Sequence, residues 1–186
     1  MEPRIEDIKK LRDQTGVSVM QCKKALEETG GDIEKALAVL LSRGSELAAK
    51  KADRDLGAGI IESYVHQNGA LGALVELSSE TDFVARNEDF KELAHEIAMQ
   101  VAAMNPKFID RSEVPEEEVL KIRESLSEKG EALEEKVESI LKQHILLEQS
   151  TIKHPDLRVA DLIERAIQKF GERIKVSRFV RLSIGQ

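Results

Sequence analysis

His95 and Glu96 open the stretch "HEIAM", residues 95–99. It begins like the helical motif in which two imidazoles one turn apart hold zinc while the glutamate serves as general base. Met99 stands where the second imidazole must be, so the two-ligand helix face is absent. The remaining histidines, at 66, 144 and 154, are scattered along the chain. The single cysteine, Cys22, can make neither an internal disulfide nor, by itself, a zinc site. It lies on an apolar helical face and reads as a small core hydrophobe. No G-x-S-x-G, no phosphate-cradling glycine loop and no Cys-x-x-Cys pair occurs. Adjacent acids such as Glu134 and Glu135 fall on charged helical faces and read as solvated surface. The chain is therefore expected to be no enzyme, with no catalytic residues and no metal or cofactor.

The residues that remain for function lie in "SSETDFVARNEDF", 78–90. Aromatic residues make up only 3% of the chain, five Phe and one Tyr, so each needs a reason to be where it is. Phe83 sits among small and charged residues just before a long helical pattern. It precedes Phe90 by seven residues, so one continuous helix puts both rings on one stripe and buries Phe83 in the core. If instead Asp82 or Asn87 caps a helix start, the register breaks and Phe83 is left on a protruding turn as an aromatic anchor for a partner. The pattern admits both readings.

The elements that must position this turn are mostly helical. Ile5, Ile8 and Leu11 repeat up to Gly16, a left-handed stop. Ser18 and Gln21 form a capping box for a second stripe, Val19, Cys22 and Leu26, which ends at Gly30-Gly31. Asp32 caps a third helix carrying Ile33, Ala36, Leu37, Leu40 and Leu41, which Gly44 is expected to close. These make a three-helix bundle over 1–44. Residues 45–59, "SELAAKKADRDLGAG", read as a linker that begins as a helical extension. The period then becomes two: "GIIESYVHQ" and "ALGALVEL" flank Asn68-Gly69, a hairpin signal whose two turn positions need positive φ. Near the end, Ile174, Val176, Val180, Leu182 and Ile184 form the apolar face of a third strand, broken only by Arg178.

Between these strands, Phe90, Leu93, Ala94, Ile97, Ala98, Val101 and Ala102 form a long stripe ending at Asn105-Pro106. Pro115, at the first helical position and followed by three glutamates, starts a further helix through Val119, Ile122 and Leu126. Leu133, Val137, Ile140, Leu141 and His144 mark another, and Val159, Leu162, Ile163, Ala166 and Phe170 the last. The class is α+β: the N-terminal bundle, then, over 60–186, helices packed on a three-stranded antiparallel sheet.

The formal net charge is −7, with both signs interspersed, which is not the basic footprint that phosphate neutralisation requires. Nucleic acid is not expected as a direct partner. No apolar run approaches the roughly 20 residues of a membrane span, and "MEPRIEDIKK" has no apolar signal-like region. The chain reads as cytoplasmic, without a membrane partner.

Four blocks resemble one family. "TDFVARN" (81–87) is similar to the signature of bacterial-type elongation factor Ts, the nucleotide-exchange factor of the translational GTPase elongation factor Tu. "LRDQTGVSVMQCKKALEETGGDIEKA" (11–36) resembles the family's opening helices, and "LLEQSTIK" (146–153) and "RFVRLSIGQ" (178–186) its closing segments. The resemblance implies that the 1–44 bundle is ubiquitin-associated-like and that 60–186 is the core and dimerisation domain. With one "TDFV" and one hairpin, the chain looks like a short-form member. Such members are expected to pair as homodimers and form a two-plus-two complex with elongation factor Tu.

The resemblance further implies that Thr81, Asp82, Phe83 and Val84 form a wedge. Phe83 enters an apolar slot of the GTPase and shifts the elements that hold its Mg2+ ion, so that GDP leaves and GTP loads. Arg86 and Asn87 position the turn, while Arg12, Val19 and Met20 match a second gripping surface. For Val19, core burial stands as the alternative. The linker is expected to let the two grips engage together. From the bundle pattern alone a different class stays open: a ubiquitin-associated-like interaction module without exchange activity.

Overall fold

The computed structural model describes every residue of the chain except Met1, Glu128 and Gln186. Its class is α+β, with helices and a three-stranded antiparallel sheet in the order β1-β2-β3. The chain divides into two compact units. One comprises the chain up to Gly59 with Ser78–Phe90 and Asp161–Lys175; the other comprises Ile60–Leu77, Lys91–Ala160 and the chain from Val176 onward.

In the first unit, α1 (Ile5–Thr15) ends at Gly16, whose φ of 67° is the left-handed cap that the sequence predicts. Ser18 caps α2 (Val19–Glu28) by accepting from the Gln21 N–H, and Asp32 caps α3 (Ile33–Lys50) by accepting from the Lys35 N–H. Leu11, Val17, Cys22, Ala25, Leu26, Ala36 and Leu40 form the core of this bundle. Ile5 and Val19 lie at the ends of their predicted stripes and are exposed.

Helix α3 does not stop at Gly44 but runs six residues further, to Lys50. The residues after Gly44, "SELAAK", are mostly good helix formers and outweigh the ~1 kcal/mol that a mid-helix glycine costs. Gly44 serves close approach instead: a Cβ there would sit 3.2 Å from the Glu164 carbonyl oxygen. The rim of the expected 45–59 linker is thus helical and packed, with the Ser45 hydroxyl hydrogen-bonded to the Glu164 carboxylate.

The hairpin joins β1 (Ala58–Val65) to β2 (Leu71–Ser79) through more than a two-residue turn. The His66 carbonyl accepts from the Gly69 N–H at 2.7 Å, and the Asn68 side chain accepts from the Ala70 N–H at 3.1 Å. Only Gly69 has positive φ, at 67°, so the expected pair of left-handed residues becomes one. The extra length lets Asn68 turn the chain with its side chain while staying in an ordinary conformation.

Strand β3 (Ile174–Ser183) begins with Ile174 and Val176 buried. From Arg178 onward the same side of the strand is exposed, through Val180, Leu182 and Ile184. Arg178 interrupts this apolar series because its guanidinium pairs with Glu76 of the neighbouring strand. Ile61, Val65 and Leu74 are exposed as well, so the sheet of the second unit carries an open apolar face.

The other side of β2, Ala73, Val75 and Leu77, is buried. Helix α5 (Glu88–Met104) buries Ala94, Ile97, Ala98, Val101 and Ala102 from its predicted stripe. The Arg181 guanidinium ties β3 to it through the Ala102 carbonyl at 2.9 Å. Buried Gln100 is satisfied by the Gln149 side chain, the Ser150 carbonyl and the Ile152 N–H. Pro115 is the residue before α6 (Glu116–Ser125) rather than its first, with an extended ψ of 145°. Leu126 caps that helix in extended form, and α7 (Glu131–His144) follows Gly130. Ile122, Val137, Leu141 and Ile145 form the core between α6 and α7.

Candidate partner-binding site

Three residues after the end of β2, the chain makes one turn of helix, α4 (Asp82–Ala85), then stops and starts again as α5. Asn87 causes the restart: its side-chain oxygen accepts from the Asp89 N–H at 2.9 Å, an N-cap bond. Two helices rather than one therefore carry the two phenylalanines. Phe83 is 89% exposed, whereas Phe90 is fully buried and packs edge to face on Phe170 of α8 (Val159–Phe170) at 6.3 Å between ring centroids. The core reading of Phe83 does not hold; its ring stands on the surface.

The rest of the "TDFV" segment divides by environment. Val84 is 7% exposed and, with Ala85, buries the inner side of α4. Within the expected wedge it is thus a root rather than part of the presented surface. Asp82 is not a cap; it forms an exposed i,i+4 ion pair with Arg86 at 2.9 Å, worth a few tenths of a kcal/mol at such a site. Thr81 precedes the helix, and its side chain makes no cap. Instead its N–H donates to one oxygen of Glu172 at 3.0 Å and its hydroxyl to the other at 2.6 Å. The Ser79 hydroxyl donates to the Thr81 carbonyl at 2.9 Å.

The next residue back is held in the converse sense. Glu80 accepts from the Arg173 backbone N–H and from the Arg54 guanidinium, with the Lys51 ammonium 3.6 Å away. The Arg173 N–H first, then the cations, hold its carboxyl below the usual carboxylate range. Segments 80–81 and 172–173 thus exchange backbone N–H groups and carboxylates. Sequence reading misses Glu172, Glu80 and Arg173. No local motif marks a contact between residues 91 apart, and three more charges in a chain that is 34% charged give no signal.

The second set of expected contact residues lies on the bundle of the same unit. Arg12 is exposed near the end of α1, and Val19 and Met20, in the first turn of α2, are 49% and 75% exposed. Val19 is not a core residue. Helix α8 reaches both regions. Arg165 donates to the Gln14 carbonyl at 3.4 Å, Glu164 pairs with Ser45, and the Lys169 ammonium pairs with Asp89. Residues 45–59 belong to the same compact unit as both sets of expected contact residues.

Among the described residues no cluster of His, Cys, Asp and Glu is placed to hold a metal ion, and no helix is long and apolar enough to cross a membrane. The site offers an exposed aromatic on a braced turn and a second apolar patch, an arrangement suited to binding another protein.

A family model described as elongation factor TS matches residues 18–186. A protein named elongation factor Ts from Thermosipho melanesiensis is 49% identical over 190 residues, covering 96% of this chain and 97% of the relative. Relatives of the same name from Fervidobacterium nodosum and Thermotoga neapolitana are 46% and 47% identical. Each alignment spans this whole chain, with 100% and 99% of those relatives covered.

Proposed function

From the fact that the chain belongs to the elongation factor Ts family, a family of translation elongation factors, we propose that it is the guanine-nucleotide exchange factor of elongation factor Tu. The observation that carries this reading is the exposed Phe83 on the braced turn that follows β2.

An exchange factor makes and breaks no covalent bond. It binds the nucleotide-free GTPase more tightly than the nucleotide-bound form, and by linkage it weakens the nucleotide by the same factor. In this reading Phe83 enters an apolar slot of the GTPase, displacing the elements that hold Mg2+, the largest local charge on the bound phosphates. A rigid aromatic suits that task, since burying one in a pocket is worth ~2–4 kcal/mol. Thr81, Asp82 and Val84 shape the wedge, and Arg86 and Asn87 hold its far end. Arg12, Val19 and Met20 supply the second grip, which is pre-arranged with the first because both belong to one unit.

The open sheet face of Ile61, Val65, Leu74, Val180, Leu182 and Ile184 supports the homodimer, and with it a two-plus-two complex. A second copy covering that face removes a contiguous apolar surface from water. Sedimentation of Leu182→Lys against the unmodified chain tests this: a dimer that becomes monomeric is expected, and a monomeric unmodified chain overturns it.

Release of a fluorescent GDP from elongation factor Tu tests exchange. The chain is expected to accelerate release, and Phe83→Ala to lose about 30- to 1000-fold at sub-saturating concentration. Release at the intrinsic rate in the presence of the unmodified chain overturns the exchange reading. Full activity of Phe83→Ala overturns the wedge alone.

A further inference from the structure

We propose that Glu172 is a positioning residue for exchange, fixing the turn that presents Phe83; the inference rests on the exchange reading above. Phe83 has almost no packing of its own, so the direction of its ring is set by the backbone of α4. A helix of four residues cannot hold itself together in water, because nucleation costs more than one turn of hydrogen bonds returns. The turn needs outside ties at both ends. At its far end, Asn87 and buried Val84 and Ala85 provide them.

At its near end no side chain caps the helix; the Ser79 hydroxyl holds the Thr81 carbonyl, and the Glu172 carboxylate holds the N–H and hydroxyl of the same residue. One oxygen takes the Thr81 N–H and the other takes the Thr81 hydroxyl, so two charge-assisted bonds fix residue 81 in both position and rotation. Residue 81 in turn carries the carbonyl that the first helical bond uses, from the Ala85 N–H at 3.3 Å. Glu172 follows Gly171 just beyond α8, and its neighbour Arg173 donates its N–H to Glu80. The carboxylate is therefore anchored to the same two-residue segment that it holds. Of the two carboxylates in this exchange, Glu80 engages Arg54 and Lys51 and braces the chain, while Glu172 touches the turn itself.

The test uses the full chain with elongation factor Tu carrying fluorescent GDP, and crosses Glu172→Ala and Glu172→Gln with Phe83→Ala. Glu172→Ala, which removes both bonds to Thr81, is expected to slow sub-saturating exchange about tenfold, with its circular dichroism and melting temperature near those of the unmodified chain. Glu172→Gln keeps an acceptor oxygen and is expected to recover most of the rate. In the Phe83→Ala background, removing Glu172 is expected to change the rate less than twofold, because nothing is left to position. Equal fractional losses in both backgrounds, or full activity of Glu172→Ala, overturn the proposal while leaving the exchange reading intact.

Two further measurements guard the result. If Glu172→Ala does not fold, Thr81→Val, which deletes the hydroxyl donor and keeps the shape, is expected to give a smaller loss that again vanishes without Phe83. Independently of any GTPase, amide hydrogen exchange at residues 85–87 of the free chain is expected to quicken at least tenfold in Glu172→Ala. Unchanged protection there overturns the proposal even if the exchange reading fails.

Discussion

Phe83 and Phe90 are seven residues apart, nearly two helical turns, yet one ring is 89% exposed and the other has no accessible surface. Asn87 separates them by ending one helical register and capping the next. The same substitution at the two positions should therefore have unlike effects. Phe90→Ala empties a core site against Phe170 and is expected to cost ~3–5 kcal/mol. Phe83→Ala is expected to change stability by less than ~0.5 kcal/mol. Urea denaturation of both variants checks this, and a large loss in Phe83→Ala would place that ring in a core.

Asn87→Ala removes the cap bond to the Asp89 N–H and should destabilise the start of α5 by ~1 kcal/mol. Asn87→Asp, which keeps an acceptor at the helix N-terminus, is expected to restore most of it. The denaturation midpoint reads both. If the alanine variant matches the unmodified chain, the restart is held by burial of Val84 and Phe90 alone.

Much of this arrangement is legible in sequence because its causes are local. Ser18, Asp32 and Asn87 announce helix starts with their own side chains, and the stripes of α5, α7 and α8 follow one period from end to end. What is not legible depends on partners far along the chain. Gly44 reads as a stop until Glu164 is found against it, and Val19 stays open between core and contact surface until the bundle core is seen to form without it. The candidate site splits along the same line. Phe83 and its neighbours stand out by their type, whereas Glu172 becomes visible only once residues 81 and 172 are in contact.

Gly44 is required for that close approach. With only 3.2 Å between a Cβ and the Glu164 carbonyl oxygen, Gly44→Val forces α3 and α8 apart and is expected to cost ~1–3 kcal/mol, despite the poor helix propensity of glycine itself. Thermal melting checks the direction. A stabilised valine variant would show that the contact yields at no cost.

Cys22 is fully buried, and burial pushes its thiol above the ordinary range, with Thr15 and Arg12 opposing. Both features withhold the thiolate that thiol reagents attack. A disulfide reagent should label it at least ~100-fold more slowly in the native chain than in denaturant, at the rate at which the three-helix bundle opens. Labelling as fast as in the unfolded chain would contradict its place in that core.

Stability should decline toward acid in two stages, the first beginning near pH 6.5 and the second near pH 4.5. Burial, with the Lys107 charge adding and Glu118 opposing, holds the His144 imidazole below its usual 6.5. Between its folded value and 6.5 the unfolded chain takes up a proton that the native chain refuses, so stability falls as pH drops through that range. Glu80, held down by the Arg173 N–H, and Glu138, held down by Arg111, lie below their usual 4.5. The stability they contribute is complete above 4.5 and is lost as pH falls from there through their folded values. Urea melts from pH 8 to pH 3 should show both declines. His144→Gln is expected to flatten the upper one and leave the lower, and Glu80→Gln to reduce the lower one only. Constant stability between pH 8 and pH 5 in the unmodified chain would show that His144 titrates alike in the folded and unfolded states.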